Sequence, residues 1–245
     1  MAKALRQVNV THRERLTPNM VRMTIGGESL EDFPEGFEGG YIKLVFPADE
    51  KPVVRSYTIR HHDVVSQSLV MDMVAHGDTG PAAAWANRVQ PGDRVSIQGP
   101  GPCQNIDTTA DWFLIAGDMS AIPAISVNLA KLPASARGYV ALEVISEADK
   151  IDLDLPPGID LRWIVNPDPE STNSMLEDTV MSLPWLEGRV SAWVAGEFSA
   201  SRALRQYFRH AKQLPKDQMY VSCYWKIGET DEGMKAAKRA DVEAW

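Results

Sequence analysis

The sequence predicts two domains, an N-terminal antiparallel β-barrel followed by a C-terminal α/β domain with a parallel sheet. Before about residue 100, short strands alternate with turns and there is only one short helix, a pattern typical of a small antiparallel barrel. After that point, apolar strands alternate with helical segments, as they do in doubly wound parallel sheets. The 245 residues are enough for two modest domains, which we expect at 1–105 and 106–245.

Alternation of apolar and polar residues defines the strands of the predicted barrel. The segment 5–27 has this pattern in two halves, which a turn at 17–19 separates. Further strands are predicted at 41–46, 55–60, 68–74 and 94–99, with a turn at His61–Asp63. A short helix is predicted at 82–88, because Pro81 is favoured at the first helical position.

Buried strands and crossover helices follow one another in the second half. Residues 112–116 are continuously apolar, as expected of a parallel strand that is covered on both faces. Strands are also predicted at 140–145, 161–165, 190–195 and 219–225, and helices after Ser120, at 176–183 and at 199–214. The segment 99–109 is the predicted interdomain connection, and the tail 228–245 has the spacing of a final helix.

Charge and hydropathy exclude several classes of protein. The formal net charge of −8 argues against general affinity for nucleic acid. No apolar run approaches the roughly 20 residues of a membrane span, and the first residues lack the apolar core of a signal peptide. We therefore expect a cytoplasmic protein with no nucleic-acid partner and no membrane insertion. A monomer is the expected oligomeric state, although these features do not bear on it.

The sequence also argues against a resident metal. Cys103 and Cys223 are the only cysteines, too few to hold zinc or an iron-sulfur cluster. His61 and His62 are adjacent, so regular strand geometry would point them to opposite faces. We predict no metal site, and any electron carrier of this chain must then be an organic cofactor.

The strand at 55–60 has the side chains of a ligand site. Alternation places Arg55, Tyr57 and Ile59 on one face and Ser56, Thr58 and Arg60 on the other. A flat heteroaromatic ligand with a pyrophosphate needs an aromatic ring, polar hydrogen-bonding groups and a guanidinium. The same residues also suit an ordinary half-exposed strand with solvated arginines.

A helix start follows this strand. Residues 76–80 are rich in turn residues, and the helix then begins at Pro81. Its first N–H groups have no partner within the helix, and the glycines allow close approach of a ligand, so a diphosphate would fit there. Taken alone, the segment is compatible with a simple helix start.

Two strand ends of the second domain also have polar residues where ligands bind in parallel sheets. These are the segments 117–120 and 196–199, each with a glycine, an acid and a serine. The chain lacks the G-x-G-x-x-G fingerprint, so a nicotinamide nucleotide is expected to bind only transiently. Each strand end is equally compatible with a helix N-cap that serves stability.

The helix predicted at 199–214 has a row of basic residues on one face. Arg202, Arg205, Arg209 and Lys212 are three or four positions apart, a spacing typical of the solvated side of a crossover helix. Arg202 is nearest the start of the helix and is the one expected to meet a nucleotide phosphate.

Five segments together resemble the siderophore-interacting proteins, FAD-dependent ferric-siderophore reductases of the ferredoxin-NADP reductase-like superfamily. They are R-S-Y-T-I-R, H-G-D-T-G-P-A-A-A-W-A, G-D-R-V-S-I-Q-G-P-G, A-G-D-M-S-A-I-P-A-I and W-V-A-G-E-F-S-A-S-R-A-L-R. The resemblance covers nearly the whole chain and implies an FAD-binding barrel and an NAD(P)H-binding-like α/β domain. The family often has Glu-Thr where this chain has Met119-Ser120, which leaves Asp118 as the only acid there.

The resemblance implies a set of contacts by position. The cofactor contacts expected on the barrel are Arg55, Ser56, Tyr57, Thr58, Arg60, Met73, Val74, His76, Gly77, Thr79, Gly80, Pro81, Ala82 and Trp85. Those expected on the second domain are Asp118, Ser120, Ala121 and Trp225, with Trp225 covering the isoalloxazine ring. Siderophore contacts are expected from Lys43, Arg202, Lys226 and Lys235. No side chain is required as a catalytic acid or base.

The implied activity is reduction of a ferric siderophore, which releases Fe(II). Electrons would come to FAD from NAD(P)H or a reduced ferredoxin. Two alternatives remain open at this point. One is a general flavin reductase or the reductase component of an oxygenase, and the other is a siderophore-binding protein without catalytic activity.

Overall fold

The structure is a computed structural model, which describes residues 5–49, 51–75, 80–229 and 231–243. Two compact units divide the chain, Met1–Gln104 and Asn105–Trp245. The first consists mainly of antiparallel strands, and the second alternates parallel strands with helices.

The first unit is a seven-stranded antiparallel sheet. Its strands are β1 (Leu5–Thr17), β2 (Met20–Gly26), β3 (Tyr41–Phe46), β4 (Val53–Thr58), β5 (His61–Asp63), β6 (Ser68–Val74) and β7 (Arg94–Gly101). They are paired in the order β4-β3-β7-β1-β2-β6-β5. Strands β4 and β5 are almost continuous in sequence, yet β4 pairs with β3 and β5 pairs with β6. One stretch of chain therefore joins both edges and closes the sheet, as the predicted barrel requires.

The barrel core follows from the predicted alternation. On β3, for example, Ile42 and Leu44 are fully buried while Lys43 between them is half-buried. The sequence prediction was wrong at His61–Asp63, which is a strand and not a turn. The turn lies at 64–67, because the Asp63 carboxylate accepts hydrogen bonds from the N–H groups of Val65 and Ser66.

One helix, α1 (Pro81–Arg88), packs on the barrel. Its carboxyl end is held by Arg13 of β1, which donates hydrogen bonds to the carbonyl oxygens of Ala86 and Asn87 at 3.0 and 3.3 Å. A cation at this end also complements the helix dipole. Near the middle of α1, the Trp85 ring meets the Phe46 ring edge to face at a centroid distance of 5.6 Å. These contacts fix the direction of α1 relative to β3.

The second unit is a five-stranded parallel sheet with helices. Its strands are β8 (Trp112–Gly117), β9 (Arg137–Val144), β10 (Gly158–Val165), β11 (Val190–Glu197) and β12 (Met219–Trp225). The helices are α2 (Ile122–Leu129), α3 (Met175–Ser182), α4 (Phe198–Gln206) and α5 (Asp231–Glu243). The strand order β10-β9-β8-β11-β12 reverses direction between β8 and β11. Ligands of doubly wound sheets bind at such a reversal, beyond the carboxyl ends of the strands.

Helix α4 is shorter than the sequence predicts. The predicted helix at 199–214 ends as an α-helix at Gln206 and continues as one π-helical turn over Tyr207–Ala211. Within this turn Phe208 is fully buried among the apolar residues of the sheet. The wider turn keeps Phe208 in the core while the chain leaves the helix.

Helix α5 is attached to α4 by ion pairs. The buried carboxylate of Asp241 accepts hydrogen bonds from Arg202 at 2.8 Å and from Arg205 at 2.5 Å. The charge pattern predicted a solvated helix face. The Arg202 side chain is indeed half-exposed and that of Arg205 is mostly buried, but both are paired with Asp241. No pattern within α4 points to a partner 36 or 39 residues later in the chain.

Among the helices described, none combines the length and the apolar character needed to cross a membrane. Within the same described ranges, no group of three His, Cys, Asp or Glu side chains is arranged to hold a metal ion.

Candidate functional site

Strand β4 presents the predicted ligand residues at the closing edge of the barrel. Arg55 is paired with Leu44 and Tyr57 with Ile42, so both side chains start on the face of the sheet that contains the core. The Tyr57 ring packs against the core, and burial raises the pKa of its hydroxyl. Ser56 is exposed on the opposite face, and Thr58 is buried.

Arg55 and Arg60 have different surroundings. Within the described part of the chain, the Arg55 guanidinium makes one hydrogen bond, from Nη1 to the Val54 carbonyl oxygen at 3.0 Å. Most of its N–H donors are thus available to a ligand. Arg60 Nε lies 3.3 Å from a carboxylate oxygen of Asp72. Arg22 binds the same carboxylate through two hydrogen bonds of 2.7 and 2.8 Å.

The charges around Arg60 are balanced. Asp72 faces the two arginines, and Glu14 is paired with Arg22 across β1 and β2. Burial lowers the pKa of Arg60, and the nearby charge of Asp72 opposes this effect. Two carboxylates therefore compensate two guanidiniums. Because the charge of Arg60 is already compensated by Asp72, Arg55 is the better suited of the two predicted arginines to bind a phosphate.

The start of helix α1 suits an anion in its local geometry. Gly80 is the N-cap residue, and among the described residues no side chain caps the first N–H groups. An added Cβ at Gly80 would meet no atom within 4 Å, so the backbone there is open to approach. Pro81 is exposed, Ala82 is buried and Trp85 is half-buried. The predicted contacts His76, Gly77 and Thr79 lie outside the described residues.

The α1 helix lies close to the Arg55 end of β4. The Trp85 ring contacts Phe46, and Phe46 is paired with Val53, which is two residues before Arg55. Strand β4 and the eight-residue helix α1 of this unit are thus linked through the Trp85–Phe46 contact and the Phe46–Val53 pair. Met73 has its side chain fully buried in the core, so it can contact a ligand only through its main chain, whereas Val74 is half-buried.

At the strand reversal of the second unit, the Asp118 carboxylate is a centre of hydrogen bonding. Its Oδ1 accepts from the Ser120 N–H at 2.9 Å and from the Ser120 hydroxyl at 2.5 Å. Its Oδ2 accepts from the Glu197 N–H at 2.8 Å and from the Trp225 indole Nε1–H at 2.7 Å. One buried carboxylate thus joins the ends of β8, β11 and β12.

Gly196 makes room for this carboxylate. An added Cβ at Gly196 would lie 2.6 Å from Asp118 Oδ2 and 3.0 Å from its Cγ. Glu197, the next residue, is the N-cap of α4 and accepts hydrogen bonds from the N–H groups of Ser199 and Ala200. The N-cap interpretation of the segment 196–199 is therefore correct, whereas Asp118 caps no helix.

The carboxyl edge of the sheet is acidic. Glu143 at the end of β9 is adjacent to Asp118, and Asn166 donates a hydrogen bond to it at 3.1 Å. Burial raises the pKa of Glu143, and the charges of Asp118, Glu177 and Glu197 raise it further. Burial also raises the pKa of Asp118 and of Glu177. A pyrophosphate at this edge would meet like charges.

The remaining predicted contacts are distributed over both units. Lys43 on β3 is paired with Ser56 of β4. Lys226 follows β12, lies over the Phe198 ring at 5.6 Å and is 3.4 Å from Glu229. Ala121 is buried and Ser120 is half-buried. Lys235 lies in α5, and its side chain is outside the described part. For Arg202, an added phosphate would compete with Asp241.

Comparison with known proteins gives the family. Residues 9–52 and 46–103 match the siderophore-interacting FAD-binding domain, and residues 110–228 match the siderophore-interacting protein family. Ferric vibriobactin reductase ViuB of Vibrio cholerae is 35% identical over 93% of this chain and 91% of its own length. The chain belongs to the siderophore-interacting protein family.

Solved structures agree with this assignment. The siderophore-interacting protein SipS of Aeromonas hydrophila superimposes on this member of the family with a TM-score of 0.87 and 31% identity, over 98% of this chain and 99% of that one. The Amycolatopsis cytochrome P450 reductase GcoB has a TM-score of 0.67 and 19% identity, over 91% and 71% of the two chains, and so shares the fold. The predicted fold class and family resemblance are confirmed.

Sequence reasoning missed several charged residues of this siderophore-interacting protein. Glu143 and Asp72 are buried or half-buried acids within otherwise apolar strands. The sequence could have indicated both residues, because a single acid in an otherwise apolar strand needs a hydrogen-bonding partner or a function. Their partner residues are Asn166, which follows β10, and Arg22, which lies on β2, and local pattern does not reveal either.

Proposed function

We propose that this protein is an FAD-dependent ferric-siderophore reductase of the cytoplasm. The reductase names of its relatives support the activity, and the match of the barrel to a siderophore-interacting FAD-binding domain supports the cofactor. The observation that carries the proposal is the Arg55 guanidinium, whose donors are largely available, in the same unit as the start of α1, where no described side chain caps the first N–H groups. A pyrophosphate fits both groups.

The barrel residues have distinct roles in this proposal. Arg55 and the first N–H groups of α1 bind the phosphates, and the exposed Ser56 supplies a hydroxyl. Tyr57 is half-buried, and the exposed part of its ring contacts the cofactor. Thr58 contacts the cofactor mainly through its backbone, because its side chain is buried. Arg60 acts indirectly, by holding Asp72.

FAD supplies the redox chemistry when bound, because a flavin accepts a hydride and releases electrons singly. The two electrons of one hydride account for two Fe(III) ions reduced to Fe(II). Hard oxygen ligands hold Fe(II) less tightly than Fe(III), so the reduction frees the metal. Lys43 and Lys226 are the proposed contacts of an anionic siderophore, since both are half-buried cations.

The electron donor is proposed to be NAD(P)H or a reduced ferredoxin. The carboxyl edge of the parallel sheet has Asp118, Glu143 and Glu197, Glu177 of α3 adds a further negative charge near Glu143 and Glu197, and Arg202 is paired with Asp241. This edge opposes a pyrophosphate, so we expect a dinucleotide to bind weakly and transiently. A monomer is the proposed oligomeric state.

FAD titration of the purified protein tests the proposal. We expect saturable binding, and we expect Arg55→Gln to weaken it by roughly 10- to 100-fold, as for a lost charge-assisted hydrogen bond. Arg94→Gln is the matched control, because Arg94 is an exposed arginine on β7 of the same unit. No FAD uptake by the wild-type protein would refute the proposal.

A second measurement distinguishes the acceptor. The reduced protein is mixed without oxygen with ferric catecholate and ferric hydroxamate siderophores, and Fe(II) is trapped by a coloured chelator. Reduction of free flavin or cytochrome without reduction of either siderophore would indicate a general reductase. Tight siderophore binding without flavin uptake would indicate a protein that only binds siderophores.

A further inference from the structure

The Trp225 indole has one strong polar contact that fixes its orientation. Its Nε1–H donates a 2.7 Å hydrogen bond to Asp118 Oδ2. An indole has a single donor, and a bond to a carboxylate is stronger than one to a neutral acceptor. The ring is half-buried, so one part of it stays accessible while its polar edge is tied to the sheet.

Asp118 itself is held rigidly. Its carboxylate accepts four hydrogen bonds, two on each oxygen, from Ser120, Glu197 and Trp225. The side chain is 8% exposed, and Gly196 leaves just enough space for it. A carboxylate has about four acceptor positions, so none remains for a ligand. The sequence-based expectation that Asp118 contacts the cofactor directly does not fit this geometry.

We propose that Asp118 is a positioning residue, which acts on the cofactor through Trp225 by fixing the plane of its indole ring. The functional part of this inference rests on the proposed function and on the family resemblance, which implies that Trp225 covers the isoalloxazine ring. Asp118 links the ring to the backbone of β11 through Glu197 N–H and to the turn after β8 through Ser120. A ring fixed in advance loses less conformational freedom when the cofactor binds.

Asp118→Asn tests this link with almost no change in shape. The amide oxygen can still accept from Ser120, but the NH2 group then faces two donors, Glu197 N–H and Trp225 Nε1–H. In FAD-free protein with 15N-labelled indoles, the Trp225 signal is identified by its absence in Trp225→Phe. We expect this proton to exchange with solvent at least tenfold faster in Asp118→Asn.

Asp107→Asn is the control, because the Asp107 carboxylate also accepts hydrogen bonds in this unit but binds Arg189 and Thr109 at an exposed position. It should leave the Trp225 signal unchanged. If Asp118→Asn does not fold, the exchange rate of the Trp225 indole proton in the wild-type protein still tests whether Asp118 holds the ring. A Trp225 indole proton that exchanges as fast as one in a free peptide would overturn the proposal.

The effect on the cofactor is measured separately. Asp118→Asn and Trp225→Phe should each weaken FAD binding, Asp118→Asn by roughly two- to tenfold, the range of an aromatic contact, and should raise the fluorescence of bound flavin. The double variant should bind FAD no more weakly than Trp225→Phe alone, because Asp118 acts through Trp225. Additive losses would refute this route. If the wild-type protein takes up no FAD, the proposed function fails, while the indole exchange still decides whether Asp118 fixes Trp225.

Discussion

The exchange of one glycine tests whether the Asp118 cluster stabilises the α/β unit. In Gly196→Ala, the new Cβ would lie 2.6 Å from Asp118 Oδ2, whereas ordinary contacts to a Cβ begin near 3.4 Å. The carboxylate must therefore move by on the order of 1 Å. Its Oδ2 accepts the hydrogen bonds from Glu197 N–H and Trp225 Nε1–H at 2.8 and 2.7 Å, so a shift of this size breaks or weakens both.

The expected cost is large for a single methyl group. Hydrogen bonds to a charged group contribute about 1.5–3 kcal/mol each. Alanine at the φ of +155° that Gly196 adopts adds about 1–3 kcal/mol of backbone strain. If the shift weakens the two hydrogen bonds by about half, they lose about 1.5–3 kcal/mol together, and with the strain we expect Gly196→Ala to lower the free energy of unfolding by about 2.5–6 kcal/mol. The unit should still fold, because domains are commonly stable by about 5–15 kcal/mol.

Urea denaturation followed by tryptophan fluorescence is the appropriate assay, since six of the seven tryptophans lie after residue 105. Gly228→Ala is the matched control. Gly228 is in the same unit with φ of +70°, and a Cβ there would meet no atom within 4 Å. It should cost about 1 kcal/mol. Equal shifts of the urea midpoint in the two variants would refute the argument that Gly196 makes room for Asp118.

Three further predictions concern charged groups. Asp241→Asn should lower the free energy of unfolding by about 1–2 kcal/mol and make α5 accessible to proteases, because the Asp241 carboxylate binds both Arg202 and Arg205. The cost is moderate because the Arg202 side chain is half-exposed. The control Asp160→Asn removes an exposed ion pair with Arg162 and should have neither effect. Glu143→Gln should raise the melting temperature by a few degrees near pH 7. A raised pKa means that folding disfavours the charged Glu143, so this gain should vanish as the pH falls below about 4; an equal gain at pH 3 would contradict it. NADPH affinity should increase from 20 to about 150 mM salt, because salt screens repulsion by the acidic edge; a decrease would indicate an attractive basic site.

Local patterns predicted most of the elements but not their exact ends. Val8, Val10 and Ile42 alternate with polar residues, and each is buried as the pattern required. The error at His61–Asp63 has a physical cause, since those three residues form a strand by pairing with β6, and the pairing partner is not a local property. The α-helical part of α4 likewise ends before the predicted end, at Gln206, and the π-helical turn that follows contains the buried Phe208.

The candidate site was predictable in outline. Arg55 and the start of α1 were recognisable because a guanidinium in a strand and a Gly-Pro helix start are local features. The sequence placed Arg55 and Arg60 on opposite faces but predicted a cofactor contact for both, and the structure distinguishes them by the contact of Arg60 with Asp72. In the same way, nothing in the sequence indicates that Arg202 is paired, and only the structure shows its ion pair with Asp241.

The sequence by itself determined most of the order of strands and helices, although not strand β5, together with the lack of cysteine ligands for a metal cluster and the resemblance to a family. Tertiary structure alone decided which charged groups are already paired and that the carboxylate of Asp118 holds Trp225, 107 residues away. Periodicity depends on neighbours within a few residues, whereas the energy of a buried charge depends on whatever the fold places within a few ångströms of it.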